Sequence, residues 1–267
     1  METEENMLAN DPAGRRIALV AGASGMVGTE LCNQLRRDRR FAPVVVLARR
    51  QPPVTEPPLQ IEIVDFDRIG EWNPSVQLDT VFCALGTTIR KAGSEAAFRA
   101  VDHDLVLEMA RLAKRGNARH FIFVSSLGAD PGSGVFYLRV KGEAEEAVRA
   151  LGLPHAAALR PSFLDGVRPE ARPGETAARV VGRVLGPLML GPLEKYRPTP
   201  ASKVAEAMRQ LAQPGRSGFE VLDPVAITRG PFRLDPVAEE SPAETDPSAH
   251  ARIAADPRDP ARPSRGQ

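Results

Sequence analysis

From Ile17 to Leu222 the chain alternates short apolar runs with segments of helical periodicity, and this alternation restricts the fold more than any composition figure. Ile17–Ala21, Val44–Ala48, Ile61–Val64, Thr80–Leu85, His120–Ser125 and Ala156–Leu159 read as strands. Val44–Ala48 contains no polar residue, as expected of a strand covered on both faces. Met26–Arg37, Ser94–Arg115 and Tyr137–Leu151 read as helices. In the second of these, Phe98, Val101, Leu105, Val106, Met109 and Leu112 recur at helical spacing, with Ser94 placed to cap it. The pattern predicts an α/β fold, a Rossmann doubly wound parallel sheet with helices on both faces. The last third is less regular: Ala177–Leu185 and Ser202–Ala212 read as helices and Gly218–Leu222 as a strand. One domain is expected over 15–229, with a small C-terminal lobe from about residue 161.

The two ends differ from this core. Residues 1–14 are polar and aperiodic, which predicts a flexible lead. Over 230–267, Pro231, Pro236, Pro242, Pro247, Pro257, Pro260 and Pro263 sit among small and charged residues, and such a composition predicts a disordered tail. Lysine and arginine total 35 against 34 acidic residues, so no basic field exists to attract nucleic acid or an anionic membrane. No run approaches the ~20 apolar residues of a transmembrane helix. The acidic, polar opening Met-Glu-Thr-Glu-Glu-Asn is unlike a signal peptide, and a cytoplasmic protein is expected. Cys32 falls in the first helix and Cys83 in a strand, which predicts two buried structural thiols. Neither the cysteines nor His103, His120, His155 and His250 show metal-ligand spacing, so no metal is expected.

Between the first strand and the first helix lies Gly22-Ala23-Ser24-Gly25-Met26-Val27-Gly28. A dinucleotide pyrophosphate needs backbone N–H groups at a helix N-terminus without side chains in the way. Gly22 then serves the tight turn, Gly25 the close approach of the phosphate and Gly28 the packing of helix on strand, with Ser24, Met26 and Val27 completing the contact segment. The second strand ends Leu47-Ala48-Arg49-Arg50. A guanidinium forks onto a phosphate, so Arg49 and Arg50 favour NADP over NAD. Asp65, Phe66 and Asp67, after the third strand, are expected at the adenine edge, and Leu85 and Gly86, after the fourth, in the cofactor cleft.

Tyr137 and Lys141 stand at i, i+4 and share one helix face. A phenol with a reference pKa of about 10 exchanges protons poorly at neutral pH, and a neighbouring ammonium favours its ionised form. That pairing suits general acid–base work, with the Ser126 hydroxyl at the preceding strand end positioned to hold a carbonyl.

With these residues assembled, the chain resembles atypical members of the short-chain dehydrogenase/reductase superfamily, in particular the Tat-interacting-protein-type NADPH-binding oxidoreductases. The strings that carry the resemblance are Leu85-Gly86-Thr87-Thr88, Lys91-Ala92-Gly93, Val101-Asp102, His120-Phe121, Ser125-Ser126-Leu127-Gly128-Ala129-Asp130, Tyr137-Leu138-Arg139-Val140-Lys141-Gly142-Glu143, Arg160-Pro161 and Arg172-Pro173-Gly174-Glu175. The resemblance implies Tyr137 as general acid or base, Lys141 as a ligand of the nicotinamide ribose, and Ser126 as the group that orients the reacting carbonyl or hydroxyl. It places cofactor and substrate contacts at Arg160-Pro161. Where extended members carry a relay asparagine, this chain has Asp102, and an ionised carboxylate accepts but does not donate. Three activities stay open: NADP(H)-dependent hydride transfer to or from a small carbonyl or alcohol, a non-catalytic NADPH-binding regulator or redox sensor, and a nucleotide-sugar epimerase or dehydratase. The apolar residues Phe163, Leu164, Val184, Leu185, Leu188, Met189 and Leu190 suit a hydrophobic substrate or a core equally. The sequence leaves the oligomeric state open; pairing through long helices, common in the superfamily, makes a homodimer one option.

Overall fold

A strand with apolar residues at every position needs two cores, and β1 (Arg16–Ala21) has both. In the computed structural model, which describes residues 15–74, 76–165 and 191–230, Ala18 and Val20 face one core and Ile17, Leu19 and Ala21 the other. The chain continues through α1 (Met26–Leu35), β2 (Phe41–Ala48), β3 (Leu59–Ile63), a 3₁₀ turn at Phe66–Glu71 and β4 (Thr80–Cys83). Then come α2 (Ile89–Ala92), α3 (Glu95–Arg99), a π-helical turn over Ala100–Asp104, α4 (Leu105–Arg115), β5 (His120–Val124), α5 (Phe136–Ala150) and β6 (His155–Leu159). The remainder is β7 (Leu164–Asp165), a 3₁₀ turn at Gly191–Tyr196, β8 (Thr199–Pro200), α6 (Ala201–Leu211), β9 (Gly218–Leu222) and α7 (Pro224–Arg229).

Seven strands form one sheet in the order β3-β2-β1-β4-β5-β6-β9, with every neighbouring pair parallel. Strands β7 and β8 form a separate two-stranded piece. Val27, Leu31 and Leu35 of α1 and Val204, Met208 and Leu211 of α6 cover one face. Val106, Met109 and Leu112 of α4 and Val148 of α5 cover the other. Cys32 belongs to the first core and Cys83 to the second, so the two free thiols are separated by the sheet. The strand order reverses between β1 and β4, and the crevice beyond their carboxyl ends is where open sheets of this kind take ligands.

The doubly wound fold agrees with the expectation, and its departures have local causes. β2 begins earlier than predicted because Phe41 already pairs with Arg16, with a register shift before Val44 pairs with Ala18. Pro43 sits at that shift, where a residue without an N–H is tolerated in a strand. The helix expected over Ser94–Arg115 runs from Glu95 to Arg115, with a π-helical turn inside it that periodicity does not show. Ser94 caps its start, accepting from the Ala97 N–H at 3.1 Å, and the π-helical turn separates α3 from α4. α7 was not foreseen; Asp223 caps it by accepting from the Ala226 N–H at 2.8 Å. The expected lead over 1–14, the helix Ala177–Leu185, the lobe residues Val184 to Leu190 and the tail from Pro231 onward lie outside the described residues.

At the amino ends of the strands, His120 and His155 meet Nδ1 to Nδ1 at 2.9 Å, and His155 Nε2 reaches Glu220 Oε1 at 2.7 Å. Arg216 pairs with Glu220 in turn, stapling β5, β6 and β9 opposite the crevice. No described helix is long and apolar enough to cross a membrane, and no cluster of three potential metal ligands exists among the described residues.

Candidate functional site

At the carboxyl end of β1 the glycine turn presses against the loop that follows β4. Gly22 has φ +92°, and a Cβ there would lie 2.5 Å from the Ala84 carbonyl. A Cβ on Gly28 would meet the Gly22 carbonyl oxygen at 2.1 Å, so helix α1 can seat on the turn only with glycine there. Gly25 differs. Its Cβ would find nothing closer than 3.4 Å, so packing within the protein does not demand a glycine. The space a side chain would occupy opens outward at an exposed position. Gly25 is also the N-cap of α1, supplies no side-chain cap, and is followed by no acidic residue in the first turn. A positive helix end and a missing Cβ together fit a phosphate. Ser24 is exposed beside Gly25, Met26 is half-buried, and Val27 is buried with α1 in the core.

Arg49 and Arg50 are exposed at the end of β2, with no hydrogen bond or ion pair to the described residues. Asp65 is exposed, and its carboxylate accepts from the Asp67 N–H at 3.0 Å to cap the 3₁₀ turn. The Phe66 ring is buried in the core, which leaves its backbone as the part that can meet an adenine. After β4, half-buried Leu85 has its backbone N against Gly22, and exposed Gly86 lies against Asp102.

The second half of the site is built on α5. Tyr137 is half-buried one turn before Lys141, and the ring of fully buried Phe98 lies 5.4 Å from its own, centroid to centroid. Lys141 is only 4% exposed, and its Nζ pairs with Asp102 Oδ1 at 2.8 Å. Asp102 is 1% exposed and its other oxygen accepts from the Thr87 N–H at 2.8 Å. Burial works against the Lys141 charge, but the Asp102 carboxylate and the Tyr137 phenol together hold its pKa above the ordinary lysine value. Cys83 lies below this pair, and burial pushes its thiol up to about 12.

The loop carrying Ser126 is fixed from three sides. Ser125 N–H donates to the Leu159 carbonyl at 2.7 Å, Leu127 N–H to Pro161 at 2.9 Å, and Asp130 N–H to Leu138 at 3.1 Å. Its closest support is Gly142, next to Lys141: a Cβ there would lie 2.2 Å from Pro131 N and 2.3 Å from the Asp130 carbonyl carbon. The adjacent serines have separate tasks. Ser125 is buried and donates to Glu145 on α5, whereas half-buried Ser126 makes a long 3.4 Å contact to the Leu127 carbonyl and remains available to a ligand. Arg160, expected at a cofactor or substrate contact, instead forks onto Glu145 at 2.9 and 2.6 Å. Its guanidinium braces α5 against β6.

Thr87, Phe98 and Gly142 were not singled out as functional from the sequence, nor was Asp102 as the partner of Lys141. A glycine inside a strong helix is a readable sign of close backbone approach, and Gly142 is one. The contact of Asp102 with Lys141 depends on the π-helical turn, which apolar periodicity does not disclose.

A parallel doubly wound sheet, a glycine cradle at its switch point and a Tyr-Lys pair on one helix define a nucleotide-binding protein of the short-chain dehydrogenase/reductase class. The chain belongs to the NAD(P)H-binding family, whose model matches residues 22–182, and it is an atypical member of that superfamily. It is similar to the protein HTATIP2 of Rattus norvegicus, 37% identical over 212 residues that cover 78% of this chain and 86% of the relative. It is also similar to the mitochondrial protein FMP52 of Coccidioides immitis, 34% identical over 201 residues, covering 70% of this chain and 82% of that one. Among solved structures, MoeE5 in complex with UDP-glucose and NAD aligns with a TM-score of 0.58 at 19% identity, covering 77% of this chain and 74% of MoeE5. UDP-glucose 4-epimerase of Thermotoga maritima aligns with a TM-score of 0.58 at 16% identity, covering 78% and 77%. At those identities the structural likeness establishes the fold alone.

Proposed function

We propose that the protein is an NADP(H)-dependent oxidoreductase acting on a small carbonyl or alcohol. The observation that carries this reading is the convergence of the glycine cradle with Tyr137 and buried, protonated Lys141. The nicotinamide cofactor, once bound, supplies or accepts the hydride. The remaining chemistry belongs to the chain. The N-terminus of α1 receives the pyrophosphate, and Arg49 and Arg50 fork onto the 2′-phosphate. The Lys141 ammonium donates to the nicotinamide ribose. Ser126 holds the substrate oxygen, and Tyr137 passes a proton to or from that oxygen.

Fluorescence titration with NADPH and NADH tests the cofactor choice. Wild-type protein is expected to prefer NADPH. The Arg49→Ala/Arg50→Ala variant should lose about ten- to a hundredfold in NADPH affinity, the equivalent of one or two charge-assisted hydrogen bonds, with NADH little changed. Equal affinity of the wild type for both cofactors sinks the NADP assignment.

One observation favours a second reading, an NADPH-binding regulator without turnover. The Lys141 charge is countered by Asp102 at 2.8 Å, which weakens its pull on the Tyr137 proton. Steady oxidation of NADPH with any carbonyl substrate at ordinary rates ends that alternative. A cytoplasmic site of action and a homodimer belong to the proposal as well. The fungal relatives are named as mitochondrial, so cell fractionation is the direct test of the first; light scattering tests the second.

A further inference from the structure

Asp102 stands outside the glycine cradle and the Ser126-Tyr137-Lys141 set, yet it touches both halves of the site. One carboxylate oxygen meets Lys141 Nζ at 2.8 Å and the other accepts the Thr87 N–H at 2.8 Å. The side chain is almost fully buried, delivered by a π-helical turn of the kind that commonly marks functional positions. Gly86 lies against it, where a Cβ would come within 3.4 Å of Oδ1. We propose that Asp102 is a positioning residue that acts as the counter-ion of Lys141, fixing the ammonium at the cofactor ribose and tying the Gly86-Thr87 loop to α5. The ribose half of this proposal rests on the functional reading above; the counter-ion half does not.

The groups facing Lys141 are few. Asp102 comes from the π-helical turn, Tyr137 from one turn back on α5, the Cys83 thiol from β4, and the Val124 carbonyl from β5 at 3.4 Å. Asp102 supplies the negative charge that offsets the burial of the ammonium. A neutral amide of the same shape keeps an oxygen for the Thr87 N–H but removes that charge, the largest influence opposing burial; the Tyr137 phenol and the Cys83 thiol are left against it, and the Lys141 pKa is expected to fall.

The sign of the consequence follows from proton linkage. In the wild type the folded Lys141 pKa is raised, so its contribution is complete below the unfolded pKa and is lost only as pH rises through the higher folded value. In Asp102→Asn the folded pKa falls below the unfolded one. The unfolded chain then binds the extra proton, and the variant becomes relatively more stable as pH rises.

The test is urea unfolding of wild type and Asp102→Asn, without cofactor, at pH 6, 7, 8 and 9. The gap in midpoint is expected to be widest at pH 6 and to narrow toward pH 9. The same comparison in a Lys141→Met background should show a gap independent of pH. A wild-type/Asp102→Asn gap that stays constant across the range overturns the counter-ion role, because loss of mere packing carries no such pH profile. The cofactor half is read by NADPH titration at the same pH values. Wild-type affinity should be flat, while Asp102→Asn should lose up to about tenfold per pH unit once Lys141 begins to deprotonate. Flat, parallel NADPH affinities in the two proteins overturn the positioning role. Absence of NADPH binding in the wild type, alongside a narrowing urea gap, overturns the ribose reading and leaves the counter-ion role standing.

Discussion

Tyr137 and Lys141 share a face of α5 because they are four residues apart, but their surroundings separate their roles. Lys141 is almost fully buried against Asp102 with only 4% of it exposed, whereas Tyr137 stays half-buried at the crevice beside Phe98. A group that exchanges protons with a ligand has to be open to it, whereas one that offers a single N–H and a fixed charge needs only its tip within reach. Tyr137→Phe removes the exchangeable proton and keeps the ring that packs on Phe98. Its kcat should fall by about a hundredfold or more while the NADPH dissociation constant stays within a factor of two or three. Unchanged turnover in stopped-flow or steady-state assays would remove Tyr137 from the chemistry. Spacing made this pair legible in the sequence, as it did the glycine cradle, because both depend on residues near one another in the chain. The carboxylate under Lys141 was legible only as a missing asparagine. Its contact requires α3, the π-helical turn and α5 to be packed together, and no local pattern encodes that.

At the scale of elements, the loop carrying Ser126 can pack against α5 only because a glycine, Gly142, follows Lys141 on that helix. Helix propensity alone predicts that Gly142→Ala gains about 1 kcal/mol. The Cβ would instead lie 2.2 Å from Pro131 N, with backbone on both sides of the contact, and overpacking of that kind costs about 2 kcal/mol or more. The two effects have opposite signs, so urea unfolding of Gly142→Ala decides between them, and a net destabilisation is expected. Turnover should fall with stability, since the displaced loop carries Ser126. The elements themselves were mostly readable: β9 spans the residues predicted for it, and α1, α5, β5 and β6 begin within a residue of expectation. The differences are the early start of β2 at the register shift by Pro43, the π-helical turn between α3 and α4, and the unforeseen α7.

Across the whole molecule, the two ends of the sheet carry different electrostatic tasks. The carboxyl end gathers the site, and the amino end is held by the buried His120–His155–Glu220 staple. Burial, aided by His155 and neighbouring arginines, pushes the His120 pKa down to about 3. Its folded pKa is depressed, so the unfolded chain binds the additional proton below about pH 6.5. Stability is therefore full above that value and is lost as pH falls toward 3, with a limiting slope of about 1.4 kcal/mol per pH unit. His120→Gln should flatten this acid limb in urea unfolding between pH 6.5 and 4, at the expense of lower stability at neutral pH. A limb as steep as that of the wild type would place the acid sensitivity elsewhere.

The separation of Cys32 and Cys83 by the sheet gives the protein an internal timer. Both thiols are buried, and burial raises each toward about 12, so neither reacts while the chain is closed. An alkylating reagent then reads only the moments when one layer lifts away. Cys32 reports the α1 and α6 layer, and Cys83 reports the layer beneath the Asp102–Lys141 pair. A dinucleotide bridging the glycine cradle and α5 would bind the closed form, slowing alkylation of Cys83 in proportion to its occupancy. Mass spectrometry of the two labelled peptides thus follows cofactor binding without any knowledge of the substrate.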